Sequence, residues 1–236
     1  MPSTSRPLGP LEATVVAPST PPSGAVCVLL HGFGAPGTDL VPLSQVLRAP
    51  AGTTFVFPRA PLDLGAAFAG GRAWWMIDIA ALQTAMASGR HRDLAGSEPD
   101  GLDEARAKLA ACLDAIDAEL EPTRLVLGGF SQGSMLATDY ALSSDRRLEG
   151  LILFSGTLLA EPRWTGAAAA RSGLPVVQSH GRSDPVLPYA GAERLRDVLV
   201  SGGLPVDFVP FAGGHEIPLP AVERASGLLS RVLAPD

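Results

Sequence analysis

Cysteine is nearly missing from this sequence: Cys27 and Cys112 are the only two in 236 residues. Two thiols cannot form a disulfide framework or supply most of a zinc site. A chain of this length needs neither, since folding buries roughly 70–75% of its unfolded surface. Cys27 falls in an apolar run and Cys112 on the inner face of an expected helix, so both read as small buried hydrophobes rather than nucleophiles. Long apolar runs are also absent. No stretch approaches the roughly 18 residues a membrane-crossing helix requires, so no integral membrane association is expected. Basic charge is scarce, the formal net charge being −6, which argues against nucleic acid or an anionic membrane surface as the main partner. The opening MPSTSRPLGPLEATVVAP has one Arg and no apolar core segment, so a cleaved signal peptide is not expected. The expected location is the cytoplasm.

Short β-branched runs alternate with longer periodic ones. Leu11 to Val16 reads as an edge strand, and Val26 to Leu30 (VCVLL) as a parallel strand buried on both faces. Thr53 to Phe57, Arg124 to Leu127, Leu151 to Phe154, Pro175 to Gln178 and Val206 to Phe211 supply five more strands. Leu102 to Leu120 carries Leu102, Ala105, Leu109, Cys112, Leu113, Ile116 and Leu120 at helical spacing, with Asp100 as a candidate N-cap. Further helices are expected at 132–142, 191–199 and 220–233. This alternation predicts an α/β fold: a mostly parallel central sheet with helices on both faces, in one domain over residues 1–236. Residues 1–10, rich in Pro and Ser, are expected to be mobile. Residues 59–100 break the rhythm. They read as a lid-like insertion over the carboxyl ends of the strands, with a helix at 78–88.

The chemistry starts at Gly129-Phe130-Ser131-Gln132-Gly133, between a strand and a helix. A turn this tight strains its central residue, and flanking glycines leave room for it. The Ser131 hydroxyl would project above the sheet at the positive end of a helix dipole. A serine at neutral pH is a poor nucleophile and needs a base, held in turn by an acid. The chain order of such sites on parallel sheets is Ser, acid, His. Only His180 and His215 follow Ser131. His215 lies after the last strand in a glycine-rich loop, whereas His180 ends the strand before it and reads as structural. Asp184 follows that preceding strand and is the expected acid, with Asp207 and Glu216 as rivals. Acyl transfer also needs two donors for the developing oxyanion. The backbone N–H of Gln132 is one candidate. Phe33, in the loop His31-Gly32-Phe33-Gly34 after the second expected strand, is the other, with His31 bracing that loop.

With these residues placed, the sequence resembles the phospholipase/carboxylesterase family of α/β hydrolases, which includes acyl-protein thioesterases and small bacterial carboxylesterases. The matching motifs are LHGFG at 30–34, FPRAP at 57–61, AWW at 73–75, GGFSQGS at 128–134, HGRSDPVLPY at 180–189 and FAGGHEIP at 211–218. The resemblance implies Ser131, Asp184 and His215 as a catalytic triad and Phe33 and Gln132 as oxyanion amides, the five the residues had already indicated. It implies an α/β-hydrolase fold and hydrolysis of a small-molecule ester or thioester without metal or organic cofactor. Lysophospholipase or acyl-protein thioesterase activity, or a non-catalytic ligand-binding relative, are the alternatives. Trp74 and Trp75 are expected to wall the acyl pocket. The sequence departs from the family with Met76 where Asp is common, Ala35 where an acidic residue is frequent, and an unmatched stretch at 80–100.

Overall fold

A computed structural model of the chain describes residues 2–89 and 91–235; Met1, Arg90 and Asp236 lie outside the described residues. Its strands are β1 (Ser3–Leu8), β2 (Leu11–Val16), β3 (Ala25–Leu30), β4 (Thr54–Pro58), β5 (Leu62–Asp63), β6 (Arg72–Ala73), β7 (Arg124–Phe130), β8 (Gly150–Phe154), β9 (Val176–Gly181) and β10 (Val206–Phe211). Its α-helices are α1 (Leu43–Val46), α2 (Ile79–Ala87), α3 (Leu102–Leu120), α4 (Gln132–Ser143), α5 (Glu161–Ala168), α6 (Tyr189–Ser201) and α7 (Leu219–Val232). Eight strands form one sheet in the order β1-β2-β4-β3-β7-β8-β9-β10, and β5 and β6 form a small separate hairpin. The pairs from β4 through β10 are parallel, while β1–β2 and β2–β4 are antiparallel.

Strand alternation divides each apolar run between two cores. Val26, Val28 and Leu30 of β3 join Leu125 and Leu127 of β7 and Leu151 and Leu153 of β8 beneath α3, α4 and α5. Cys27 and Leu29, with Val126, Ile152 and Phe154, pack on the other face against Ala221, Val222, Ala225 and Leu229 of α7. The expected two-sided sheet is therefore present. Burial pushes both thiols upward, Cys112 to about 12, which keeps them protonated and inert.

Three expectations are corrected. Residues 3–8 are not a mobile tail: they pair with β2 in register from Ser3↔Val16 to Leu8↔Leu11. Leu8 anchors this hairpin at 0% exposure, and Gly9 supplies the left-handed turn at φ 60°. Leu11–Val16 is consequently interior to the sheet, and β1, with Pro7 in it, is the edge. Asp100 does not cap α3. That position falls to Gly101, in the left-handed region with φ 89° and no side-chain bond.

A buried carboxylate fastens α4 to its neighbours. Asp139 of α4, at 0% exposure, accepts from Arg106 of α3 at 2.7 Å and from Arg163 and the Trp164 indole of α5 at 2.9 and 2.8 Å. Such a charge is tolerable in the interior because its partners saturate it.

Candidate active site

Loops at the carboxyl ends of β3, β7, β9 and β10 converge, as ligand sites of parallel sheets do. Ser131 links β7 to α4 with φ 53° and ψ −117°, a strained conformation for a non-glycine residue. Close packing imposes it. A Cβ on Gly129 would lie 2.5 Å from the Gly133 carbonyl carbon, so the turn closes only with hydrogen at position 129.

The Ser131 Oγ–H points at His215 Nε2 across 2.8 Å, and His215 Nδ1–H donates to Asp184 Oδ2 across 2.7 Å. The other carboxylate oxygen accepts from the amides of Val186 and Leu187 at 2.8 and 3.0 Å. Burial alone would push the Asp184 carboxyl upward. Its bond and charge interaction with His215, together with those two amides, outweigh burial and hold it below the usual carboxylate range. The His215 ring is backed by Phe130 at 4.8 Å between centroids, and Ser155 Oγ–H steadies the following carbonyl, that of Glu216, at 3.1 Å.

The rival acids lie elsewhere. Asp207 pairs with Arg224 at 3.3 Å, and the Glu216 carboxylate turns toward the Gly214 amide at 3.4 Å. His180 is fully buried, its Nε2–H donating to the Leu187 carbonyl at 3.0 Å. His31 donates from Nδ1 to the Gly32 carbonyl at 2.8 Å and accepts the Ala60 amide on Nε2 at 3.0 Å, bracing its loop. Burial lowers the pKa of both rings, so both are neutral at physiological pH.

Phe33, Ser131, Gln132 and His215 all open onto one cavity of about 550 Å³. Its apolar wall includes Trp75, Ile77, Leu82, Leu94, Met135 and Leu159, and its rim carries Asp78, Glu98 and Asp100 against Arg92. Residues 76–78, 82, 92, 94 and 97–100 thus form much of the wall, and α2 buries none of its residues. Trp74 is a correction: it does not line the cavity, and at 1% exposure its indole N–H donates to the His31 carbonyl at 2.9 Å.

Two contributors had escaped the sequence reading. Met135 stands one helical turn after Ser131, a spacing that places it on the same face of α4 as Ser131 and was open to recognition. His91, whose Nε2–H donates to the Asp184 backbone carbonyl at 2.8 Å, carries no such local signal.

Comparison with known proteins places the chain in a family. Residues 11–233 match the phospholipase/carboxylesterase family model. The chain is 33% identical over 188 residues to acyl-protein thioesterase 1 of Eremothecium gossypii, covering 76% of this chain and 74% of that protein. The crystal structure of esterase PE8 superposes with a TM-score of 0.78 at 29% identity, over 94% of this chain and 99% of its own. A carboxylesterase from Mesorhizobium loti shares the fold with a TM-score of 0.76 at 19% identity, covering 96% and 98% of the two chains. The chain belongs to the phospholipase/carboxylesterase family of α/β hydrolases, and it is a serine hydrolase of esters or thioesters.

Proposed function

We propose that Ser131 is the nucleophile, His215 the general base and acid, Asp184 the residue that fixes the imidazole, and the backbone amides of Phe33 and Gln132 the oxyanion donors. The observation that carries this reading is the unbroken hydrogen-bonded line Ser131–His215–Asp184 ending at a mostly apolar cavity. The Ser131 proton passes to His215 Nε2 as Oγ bonds to the acyl carbon, and the carbonyl oxygen becomes the oxyanion. Collapse expels the alcohol or thiol, which takes that proton from His215. Water then gives a proton to His215 and attacks the acyl-enzyme, releasing the carboxylic acid and restoring Ser131.

The substrate that suits the cavity has a short or medium acyl chain and no phosphate near the reacting carbonyl. Among the described residues the rim carries Asp78, Glu98 and Asp100 against Arg92, with Glu98 also paired to Arg163 at 3.6 Å, and this acidic edge ranks a lysophospholipid behind a neutral ester or thioester. A fluorophosphonate should label the wild type at Ser131 and leave folded Ser131→Ala unmodified. Labelling of that variant at another serine, with turnover retained, would remove Ser131 from the mechanism.

A further inference from the structure

The two oxyanion amides belong to different strand ends, Phe33 after β3 and Gln132 after β7, and no covalent link sets the gap between them. Residues 72–75 do. On one side, the Gly34 N–H donates to the Arg72 carbonyl at 2.8 Å and the Arg72 N–H to the Ala35 carbonyl at 3.0 Å. The Trp74 indole donates to the His31 carbonyl at 2.9 Å, so the segment grips the chain on both sides of Phe33. On the other side, the Gln132 carboxamide accepts the Trp74 backbone N–H at 3.0 Å and donates to the Trp75 carbonyl at 2.9 Å.

We propose that Trp74 and the Gln132 side chain are positioning residues that hold the two oxyanion amides at a fixed separation. This rests on the acyl-transfer reading above and adds groups that touch no reacting atom. A carboxamide has the donor and acceptor of a peptide unit, so Gln132 pairs with residues 74–75 as a strand residue would. Gln132 is the first residue of α4, where a backbone N–H has no intrahelical partner, and it lines the cavity. Gln132 and Trp74 are 2% and 1% exposed, so water cannot replace the bonds they make. The approach is as tight as backbone allows: a Cβ on Gly71 would lie 2.3 Å from the Gly34 carbonyl oxygen. Preorganised donors act only when they already sit where the oxyanion forms. A brace across both donor loops meets that need, and it makes the cavity wall at Trp75 continuous with the oxyanion hole.

Two substitutions separate this role from general packing. Trp74→Phe removes the indole donor and keeps an aromatic ring. Gln132→Met removes both carboxamide bonds at similar length. Active sites are first titrated with a fluorophosphonate, so that rates refer to folded, labelled enzyme. Expected for each is a kcat per titrated site lower by about tenfold with KM within about twofold, since misplaced donors weaken the transition state and not ground-state binding. A trifluoromethyl ketone, to which Ser131 Oγ adds while its proton moves to His215 and the ketone oxygen becomes the bound oxyanion, should bind more weakly by the same factor. The pH profile should keep its shape, because the Ser131–His215–Asp184 line is untouched. Unchanged kcat per titrated site with a lowered Tm would reduce both groups to packing and overturn the proposal. So would a loss confined to KM. Failure of the fluorophosphonate to label wild-type Ser131 would instead overturn the acyl-transfer reading itself.

Discussion

Gly133 and Leu30 are in such close contact that a Cβ on Gly133 would lie 2.1 Å from the Leu30 carbonyl oxygen. The first turn of α4 is therefore pressed against the end of β3, and this brings the Phe33 loop beside Ser131. The same closeness appears at Gly32, where a Cβ would lie 3.3 Å from the Ser131 Cβ.

Gly133→Ala should therefore destabilise the protein and disable it. In an open helix, replacing Gly with Ala stabilises by about 1 kcal/mol. Here the added methyl would meet backbone that cannot move aside, and overpacking of this kind costs about 1–3 kcal/mol. Overpacking wins, so thermal unfolding should show a lower Tm and ester hydrolysis a loss of at least about 100-fold. An unchanged or raised Tm would contradict the tight contact.

Asp184→Asn should cost far more activity than Asp207→Asn. An amide in place of the Asp184 carboxylate can present its NH₂ to His215 Nδ1 and so favour the tautomer that cannot accept the Ser131 proton. In a serine triad this lowers kcat by about 10⁴. Asp207 sits on β10 with Arg224 and reaches no part of the site, so its variant should keep kcat within about twofold. Steady-state kinetics on both purified variants decides it, and the reverse ranking would move the acid to Asp207.

Stability should fall as pH is lowered below about 6.5. Burial holds His31 and His180 below their ordinary value of 6.5 in the folded chain, while the unfolded chain takes up both protons near that value. Between those limits the unfolded state binds more protons, so unfolding free energy rises with pH by up to about 1.4 kcal/mol per unit for each ring. Asp184 does not share this window. Its lowered carboxyl contributes stability above 3.8, lost only as pH falls further. Tm measured from pH 5 to 7 should therefore climb, and His180→Gln, which keeps a donor for the Leu187 carbonyl, should have a shallower slope. A flat wild-type curve would mean that the two rings are not held neutral.

The parts of the site legible in the sequence are those carried by local pattern. Ser131 is marked by its glycines and by a strand–helix junction; Asp184 and His215 are each marked by a strand end and chain order. Parallel topology then brings the three together. The Gln132 side-chain bonds were not legible, because Trp74 and Trp75 lie 58 and 57 positions away and no spacing rule connects them. Of the Trp pair only Trp74 was misread: the chain bends at residues 74–75 after β6, sending Trp74 to the His31 carbonyl and Trp75 to the cavity, and no periodicity in the sequence marks that bend. Residues 3–8 were misread on composition, since strand pairing uses backbone groups and an edge strand tolerates Pro7.

Acyl-chain preference should depend on Trp75 and not on Trp74. Trp75 lines the cavity beside Ser131, with Gly101 at its back, where a Cβ would lie 3.3 Å from the Trp75 Cβ. Each methylene buried against this wall contributes about 0.8 kcal/mol. If the contact persists in the transition state, kcat/KM rises by up to about fourfold per carbon until the cavity of about 550 Å³ is full. The wild type should then peak between acetyl and octanoyl esters and decline beyond. Trp75→Ala opens the wall and should move the peak to longer chains, with a smaller gain per carbon at the short end. Trp74→Ala, whose ring meets the His31 carbonyl instead of the substrate, should lower kcat across the series and leave the peak in place. A p-nitrophenyl ester series on the three proteins measures this directly. A peak shifted equally by both substitutions would return Trp74 to the pocket wall, and one shifted by neither would take the acyl chain away from Trp75.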